Sequence, residues 1–483
     1  MSKIQYRSRR KIPVTLVATV FLVSSYILCV CLIGVLRTSP DPLPNCQVRL
    51  WHQLHALFTE HEPHCPSPTL RDSVGLPRFN AIKKSHRLNY INNADEIREP
   101  LRVAHDGFTQ DMRTLDSERA YYAGSKGIVS AAGGPYLPAF VVTLRMLRRT
   151  GSTLPVELFM RDYLEYEPYI CEVVLPPLQA QCIILSEIVL GGFGDPRYTI
   201  EHYQIKSFAI LFSSFESVLW MDADCIPLYN PSPLLSSEPF ISTGLVTWPD
   251  FWTNTASPLY FQISRQPEPP TTARQATEAG MLLISKKSHW MTLLLAAYYN
   301  YYGPSFYYRL LGQGAPGEGD KDTFLQAATA VGEEYYAVSE AVADLGHPDS
   351  SGKGVLGAAM LQADPMEDYA LTSRGKWRVK DPSVAEAARG FFIHSYNPKF
   401  NPGGDLLGEK AQDAKGQPSR LWTASINALQ RIGYDAEKVV WEEAKTVACT
   451  LEHAFETWKG KSGICEGVQK HWESLFTEVH FGS

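Results

Sequence analysis

A short apolar run that ends in two aspartates constrains the fold of this chain more than any other stretch. Residues 218–221 are four consecutive apolar side chains, which predicts a short buried strand. Asp222 and Asp224 follow directly. Ligands of open α/β sheets bind outside the carboxyl ends of the strands. Carboxylate oxygens suit Mg²⁺ or Mn²⁺, which commonly share their coordination with substrate phosphates. The stretch predicts a divalent-metal site for a diphosphate; the alternative is a loop with two solvated acids.

The segments around this run alternate between strand and helix patterns. Such alternation predicts βαβ units, and therefore an α/β fold with a mostly parallel central sheet. The turn after the first strand, at residues 131–135, lacks the Gly-x-Gly-x-x-Gly spacing, which disfavours a dinucleotide-binding fold. We predict strands at 127–130, 156–160, 182–185, 218–221, 245–248, 281–285 and 390–393, and helices at 137–149, 200–212, 289–301 and 323–330.

The N-terminus predicts a single membrane anchor. Residues 12–36 are 25 consecutive residues without a charged side chain. As a helix they would rise about 37 Å, enough to cross a hydrocarbon core of about 30 Å. Five basic and no acidic residues precede them, and this bias favours a cytosolic N-terminus with the rest of the chain in the lumen. The alternative, a cleaved signal peptide, has a shorter apolar region of about 7–15 residues.

The net charge of the chain limits its possible partners, and the order of its segments indicates its domain organisation. After the basic N-terminus the chain carries 40 basic and 51 acidic side chains, a net charge of −11, which argues against nucleic acid as a partner. We expect a cytoplasmic tail at 1–11, the transmembrane anchor at 12–36, a lumenal stem at 37–118, a catalytic domain at 119–410 and a helical C-terminal extension at 411–483, with one long amphipathic helical stretch at 422–459.

Seven cysteines follow the predicted anchor, and an oxidising lumen permits disulfides between them. Nearness in the sequence suggests three pairs and leaves Cys225, beside the two aspartates, as the odd one. The suggested pairs are Cys46–Cys65, Cys171–Cys182 and Cys449–Cys465.

Six short motifs occur in one order between residues 203 and 394. They are Tyr-Gln-Ile-Lys at 203–206, Met-Asp-Ala-Asp at 221–224, Trp-Pro-Asp-Phe-Trp at 248–252, Glu-Ala-Gly at 278–280, Gly-Asp-Lys-Asp-Thr-Phe at 319–324, and His394. Together they resemble the fungal Golgi α-mannosyltransferases of glycosyltransferase family 71, which extend cell-wall mannan and protein-linked glycans. The resemblance spans residues 127–402 and includes the N-terminal anchor.

The resemblance implies a GT-A-type nucleotide-sugar-binding domain, GDP-mannose as the donor, and Mn²⁺ or Mg²⁺ as the metal. It implies transfer with retention of the anomeric configuration to a mannan or glycoprotein glycan acceptor. The implied linkage is α-1,2, with α-1,3 as the alternative. A single-pass type II protein of the Golgi membrane, in a complex with other Golgi mannosyltransferases, is also implied.

The resemblance assigns Asp222, Asp224 and His394 to the metal. Asp224 is the expected direct ligand, Asp222 faces the donor ribose or reaches the metal through water, and His394 ligates as a neutral imidazole. Lys399 follows five residues later, similar to related retaining transferases such as glycogenin, where the lysine meets the diphosphate. Lys206 is a second candidate for the phosphate. The alternatives are a core histidine at 394 and a solvated helix lysine at 206.

Four further acids are expected around the sugar. Glu278 matches the position where related transferases hold donor-sugar hydroxyls. Asp320 or Asp322 is expected on the reactive face of the sugar, and the alternative for both is capping of the helix that follows them. Asp250 lies among aromatic residues, which suit either a sugar platform of the donor or acceptor, or plain packing. Because the glycine-rich segment 312–319 is costly to order, we expect it to be a movable arm.

Two other functions fit the same sequence. A metal–diphosphate site does not recognise the nucleotide base. One alternative is therefore a retaining transferase of similar fold that uses a UDP-sugar. The other is a non-catalytic, membrane-anchored subunit of a mannosyltransferase complex. Intact acids at 222, 224 and 320, together with His394, argue against the second alternative.

Overall fold

The computed structural model describes residues 43–75, 77–116, 120–190, 200–348, 355–413 and 415–477. The predicted tail and anchor at 1–36 lie outside these ranges, so the membrane span stays a prediction. Within the described ranges, no helix combines the length and the hydrophobicity that crossing a membrane requires. Residues from Gln47 onward form one compact unit, and Met1–Cys46, of which 43–46 are described, form another.

A seven-stranded sheet forms the centre of the larger unit, with the strand order β3-β2-β1-β4-β7-β6-β8. The pairs β3–β2, β2–β1, β1–β4 and β6–β8 are parallel, whereas β4–β7 and β7–β6 are antiparallel. The predicted α/β class with a mostly parallel central sheet is therefore confirmed. The strands in chain order are β1 (Tyr122–Ala131), β2 (Val156–Met160), β3 (Ala180–Ile184), β4 (Phe215–Met221), β5 (Cys225–Pro227), β6 (Leu245–Thr253), β7 (Gln275–Ser285), β8 (Tyr336–Ala337), β9 (Ala343–Pro348), β10 (Val355–Ala363) and β11 (Gly390–His394).

Hydrophobic cores lie on both faces of this sheet, which is why residues 218–221 of β4 are apolar in succession. In β4, Leu219 and Met221 belong to one hydrophobic core, and Val218 and Trp220 belong to the other. The helices in chain order are α1 (Leu43–Glu60), α2 (Ala94–Asp111), α3 (Leu137–Arg149), α4 (Leu185–Leu190), α5 (Gln204–Phe212), α6 (Phe240–Thr243), α7 (Pro258–Ile263), α8 (Trp290–Tyr301), α9 (Tyr308–Gly312), α10 (Thr323–Val331), α11 (Pro365–Thr372), α12 (Ile426–Ile432), α13 (Ala436–Leu451) and α14 (Ile464–Phe476).

A second, four-stranded antiparallel sheet has the order β5-β11-β10-β9. The chain leaves the central sheet at the end of β4, passes through residues 222–224 and enters β5 of the second sheet. In the pairing of β5 with β11, His394 lies opposite Cys225. This register brings the histidine next to the two aspartates.

The segments expected as stem and as C-terminal extension both pack into the hydrophobic cores. Trp51 and Phe58 of α1 belong to the same core as Phe208 and Phe212 of α5. Trp441 of α13 is fully buried in the other core. The single helical stretch predicted at 422–459 is wrong in detail, because α12 and α13 are separate helices and a third helix, α14, follows.

Two strands extend further than their apolar runs predict. The structure starts β7 at Gln275 rather than at residue 281, so 278–280 lie inside the strand and not before it. In the same way β6 continues through 249–252. The two extensions pair with each other across shifts in register, with Trp248 opposite Glu278. Backbone pairing therefore keeps both segments in strand conformation, although they contain Pro249, Asp250 and Gly280.

The disulfides follow the sequence prediction in two of three cases. Cys171–Cys182 and Cys449–Cys465 are bonded, with Cα–Cα distances of 5.6 Å and 4.4 Å. The expected Cys46–Cys65 pair is wrong, since it is not among the disulfides that the described residues form. Cys225 is buried and forms no disulfide with another described cysteine.

Removal of the Cys171–Cys182 disulfide should lower the free energy of unfolding by about 3 kcal/mol, because the bond closes a loop of a dozen residues in the unfolded chain. The double variant Cys171→Ser/Cys182→Ser should show this loss in urea denaturation. Alkylation under non-reducing conditions followed by mass spectrometry should leave both cysteines of the native protein unmodified. Alkylation of either one would contradict the pairing.

Candidate active site

The turn between β4 and β5 is held in place by backbone hydrogen bonds from three strands. The amide of Asp222 donates to the Gly280 carbonyl of β7 over 2.9 Å, and the amide of Cys225 donates to the Asp222 carbonyl over 3.0 Å. The amide of Ser395, directly after β11, donates to the Asp224 carbonyl over 3.0 Å. These hydrogen bonds therefore fix the main-chain positions from which the side chains of Asp222 and Asp224 extend.

Asp222, Asp224 and His394 converge at this turn, as the sequence predicted. Nε2 of His394 lies 3.3 Å from Oδ1 of Asp224 and 4.0 Å from Oδ2 of Asp222. One ligand atom from each of the three residues lies within 4.8 Å of the other two. Asp224 is buried and Asp222 is 29% exposed at its side chain, so the cluster reaches solvent on the Asp222 side. Two carboxylates and an imidazole at this spacing are a suitable donor set for one divalent cation.

Glu278 contacts His394, and its expected contact with donor-sugar hydroxyls stays a prediction. Its Oε1 lies 3.0 Å from Nδ1 of His394 and accepts a hydrogen bond from the Gly280 amide over 2.8 Å. A Cβ at residue 280 would lie 2.6 Å from the same Nδ1, so glycine is required for this approach. Since Nδ1 bonds to Glu278, Nε2 is the nitrogen that faces the two aspartates. Metal-bound histidines are commonly oriented by a carboxylate in this way.

Opposite charges set the protonation of this cluster. Burial acts to lower the pKa of His394, but Asp224 and Glu278 outweigh it and raise that pKa well above its usual value. Burial acts to raise the pKa of Asp224, yet His394 and the adjacent ammonium of Lys399 hold this pKa well below its usual range. The pKa of Glu278 is lowered to about 2 against the effect of burial, chiefly by His394. The two carboxylates on either side of His394 therefore favour its protonated form.

Lys206 links this cluster to Asp320. Its Nζ lies 2.9 Å from Oδ2 of Asp320 and 3.4 Å from Oδ1 of Asp222, and it donates to the Ala279 carbonyl over 2.6 Å. The side chain is only 8% exposed, which excludes the alternative of a solvated helix lysine. Burial acts to lower the pKa of Lys206, but Asp222 and Asp320 outweigh it and raise this pKa. The lysine thus balances the charge of two buried or half-buried acids.

Neither Asp320 nor Asp322 caps α10 with its side chain. Asp322 occupies the position before the helix, but its carboxylate makes no capping hydrogen bond. Instead its Oδ1 accepts from Nδ2 of Asn254 over 3.0 Å and from the amide of Thr277 over 3.2 Å. Arg274 lies 3.7 Å from the same oxygen. Asp322 therefore ties α10 to β7 and to the segment after β6, whereas Asp320 points to Lys206 and the cluster.

Asp250 is buried and paired rather than open to a ligand. Its Oδ2 lies 2.8 Å from Nζ of Lys321, and burial raises its pKa although Lys321 acts against that rise. Of the aromatic residues around it, Trp248 is 1% exposed and belongs to the core. Phe251 and Trp252 are half-buried and remain accessible. Packing explains Trp248, and only the two later aromatic residues can form a platform.

The expected movable arm is anchored at its start. Gln313 is fully buried, and its Nε2 donates to the carbonyls of Leu88 over 3.0 Å and Thr255 over 2.6 Å. Its Oε1 accepts from the amide of Tyr90 over 2.7 Å. These bonds tie the beginning of the glycine-rich segment to the stem and to the segment after β6. The expected motion concerns residues 314–319.

Several residues near the site were missed by sequence reasoning. Trp220 donates from Nε1 to Oδ1 of Asp222 over 2.7 Å. Its position two residues before Asp222, on the same side of an extended chain, was the signal for this contact. Asn254, Arg274 and Thr277 carry no comparable signal, because only the pairing of β6 with β7 brings them to Asp322.

Glu278→Gln should weaken Mn²⁺ binding by about 10–100-fold, because the amide keeps a hydrogen-bond acceptor for Nδ1 of His394 but loses the charge. Isothermal titration calorimetry with Mn²⁺ measures the effect. Glu216→Gln is the matched control, since Glu216 lies at the opposite end of β4, away from His394, and its carboxylate accepts from the amide of Gly124 over 2.9 Å. Equal Mn²⁺ affinity in the two variants would contradict a supporting role for Glu278.

The fold and this cluster define an α/β protein that presents two carboxylates and a histidine at the carboxyl end of its central sheet. Residues 125–275 and 270–364 match the family model described as "Mannosyltransferase putative". The acids from Asp222 to Asp322 lie inside the matched region, and His394 and Lys399 lie beyond it.

Fungal relatives extend the match over most of the chain. The chain is 34% identical over 408 residues to the α-1,2-mannosyltransferase MNN21 of Candida albicans, which covers 72% of this chain and 62% of the relative. It is 32% identical over 438 residues to MNN23 of Candida albicans, covering 77% and 71%, and 32% identical over 434 residues to MNN2 of Saccharomyces cerevisiae, covering 75% and 70%. The chain belongs to this family of fungal mannosyltransferases.

Proposed function

We propose that the protein transfers mannose from GDP-mannose to a mannan or glycoprotein glycan acceptor, with retention of configuration and with an α-1,2 linkage. The observation that supports a transferase site is the convergence of Asp222, Asp224 and His394 where β4 and β11 end. The relatives that support the sugar and the linkage are α-1,2-mannosyltransferases by name. An α-1,3 linkage is the alternative.

Asp222, Asp224 and His394 would hold Mn²⁺ or Mg²⁺ in this proposal. The residues fit the ion, because Glu278 occupies Nδ1 of His394 and leaves Nε2 facing both carboxylates. The ion would neutralise the negative charge that develops on the leaving diphosphate. Histidine ligands are neutral, so His394 would release the proton that its surroundings now favour.

The two lysines of the site complement the acids. Lys399 contacts Asp224 and lies half-buried at the edge of the cluster, where it can turn from the carboxylate to a phosphate oxygen. Lys206 is more deeply buried and stays with Asp222 and Asp320. In the transfer, the bond between the mannose C1 and the diphosphate breaks, the acceptor oxygen bonds to C1 on the same face, and the hydroxyl proton leaves with the diphosphate. A double displacement through a covalent mannosyl-enzyme is the alternative. We assign Asp320 to the positive charge that then develops on the sugar.

The donor specificity decides between this proposal and its alternatives. The purified chain should be assayed with GDP-mannose, UDP-glucose and UDP-galactose, each with Mn²⁺ and an oligomannoside acceptor. Transfer from GDP-mannose alone is the expected result, and product analysis by nuclear magnetic resonance should show a new α-1,2-linked mannose. Transfer from a UDP-sugar would establish the second candidate, and no transfer from any donor would favour a non-catalytic subunit.

A type II orientation in the Golgi membrane remains part of the proposal and rests on the uncharged segment at 12–36 and the basic residues before it. Protease added to sealed Golgi vesicles should leave the segment that contains Asp224 intact. Detergent should then make it sensitive. Digestion in sealed vesicles would reverse the proposed orientation.

A further inference from the structure

A cavity of about 330 Å³ lies beside the end of β6, between the stem and the sheet. Stem residues 78–82 line one side, Phe251 of β6 and Gln275 of β7 line another, and residues 341–342 and Val379 complete the lining. The stem reaches this position through backbone pairing. The amide of Phe79 donates to the Phe251 carbonyl over 3.4 Å, and an antiparallel bridge joins Arg78 to Trp252.

The cavity lies close to the acid cluster. Phe251 is three residues beyond Trp248, and Gln275 is three residues before Glu278, while Trp248 and Glu278 are opposite each other in the two strands. Three residues of strand span about 10 Å. The cavity therefore lies about 10 Å along the strands from Glu278. Glu278 itself contacts His394.

The cavity and the expected phosphate side lie on opposite flanks of β4. Lys399 lies 5.1 Å from the ring centre of Tyr136, which follows β1. In the sheet order β1 is on one side of β4, and β7 and β6 are on the other. If the donor diphosphate binds near Lys399, the space on the β6 side is left for the other substrate.

The lining suits a neutral oligosaccharide. Phe79 and Phe251 offer apolar faces for the C–H surfaces of sugar rings, and Ile82 is 76% exposed. The guanidinium of Arg78 and the amide of Gln275 offer donors and an acceptor for hydroxyl groups. Polar and apolar groups share the wall about equally, and recognition of a sugar needs both, since a sugar presents hydroxyl groups as well as C–H faces.

We infer that this cavity binds the acceptor glycan, at sugar residues beyond the one that receives mannose, and that the stem thereby contributes to acceptor recognition. The inference rests on the proposed function for the identity of the glycan as an oligomannoside. It predicts that the site distinguishes acceptors by length, because a single mannose at the cluster does not reach the cavity.

The test compares methyl α-mannoside with an α-linked mannotetraose in the full chain. Arg78→Ala and Gln275→Leu should each raise KM for mannotetraose about 10-fold or more, since each removes hydrogen bonds made equally in the bound and the transition state. The kcat, the KM for GDP-mannose and the KM for methyl α-mannoside should stay unchanged. Thermal melting checks that both variants fold.

Ile82→Ala and Ile241→Ala form a matched pair of exposed isoleucines. Ile241 is 64% exposed and lies before β6 begins, at the opposite end of that strand from the cavity. Only Ile82→Ala should raise the KM for mannotetraose. Equal effects of the two changes, or no change in the Arg78 and Gln275 variants of an active enzyme, would overturn the inference and leave the proposed function intact.

Direct binding separates failure of the inference from failure of the proposed function. Mannotetraose binding, measured by isothermal titration calorimetry without donor, should be lost in the double variant Arg78→Ala/Gln275→Leu. This loss would support the cavity as a glycan site even if the wild-type chain transferred no mannose. Absence of mannotetraose binding to the wild-type chain, or equal binding by the double variant, would overturn it.

Discussion

Asp224→Ala should lower the rate of mannose transfer by at least ~10³-fold, which corresponds to about 4 kcal/mol of transition-state stabilisation. The change removes the carboxylate that lies 3.3 Å from Nε2 of His394 and contacts Lys399. His394 and Lys399 would then lack the carboxylate that they now share. The set of three residues proposed to hold a divalent cation would also be incomplete. Initial rates with GDP-mannose across a Mn²⁺ titration measure the loss.

The fold should survive this change. The carbonyl of Asp224 still accepts from the Ser395 amide, so the turn after β4 stays in place. His394 can become neutral, and Lys399 lies at the edge where water reaches it. Asp106→Ala is the matched control, because it removes an aspartate paired with two arginines, Arg102 and Arg265, on the surface of α2. Transfer by Asp224→Ala within tenfold of the control would contradict a metal role for this residue.

Asp320→Asn should lower the transfer rate by about 10²–10⁴-fold while the affinity for GDP-mannose stays close to that of the wild type. Some loss of melting temperature is expected, because the buried Lys206 keeps Asp222 as a partner but loses the charge of Asp320. Asparagine keeps the shape and leaves a carbonyl oxygen that can accept from Nζ of Lys206, now 2.9 Å away. What it removes is a negative charge. That charge matters most if it faces a transition state with oxocarbenium character, as in glycoside chemistry.

Asp322→Asn provides the comparison within the same segment. Its Oδ1 accepts from Asn254 and Thr277, and the asparagine oxygen can keep these bonds. The loss of charge near Arg274 should lower stability more than it lowers the transfer rate. If Asp322→Asn loses more activity than Asp320→Asn, the reactive-face role belongs to Asp322. Near-normal transfer in both variants would leave neither in that role and direct attention to Glu278.

Helix capping no longer explains these two acids. The sequence could not separate capping from chemistry, because an aspartate before a helix satisfies both. In the structure the carboxylate of Asp322 accepts hydrogen bonds from β7 and from the segment after β6, and that of Asp320 is paired with Lys206. The measured difference between the two variants therefore reports on their positions relative to the acid cluster.

The sequence determined the local elements of the fold. The continuous apolar run at 218–221 predicted β4, and the strand at 156–160 and the helix at 137–149 have the predicted bounds. It also determined which residue types could form the site, since two acids directly after a buried strand can be recognised from the sequence alone. These predictions succeed because burial of one or both faces of an element sets the spacing of apolar residues that are close together in the sequence.

Only the tertiary structure decided which distant residues meet. His394 reaches Asp224 because β11 pairs with β5 in one register, and Glu278 reaches His394 because β7 extends back beyond its apolar run. The burial of Lys206 and the stem wall of the cavity depend in the same way on pairing between remote segments. Hydrogen bonding between backbones sets these pairings, and backbone groups are alike at every residue. The local pattern of side chains therefore cannot specify which partner strand, or which register, the folded protein selects.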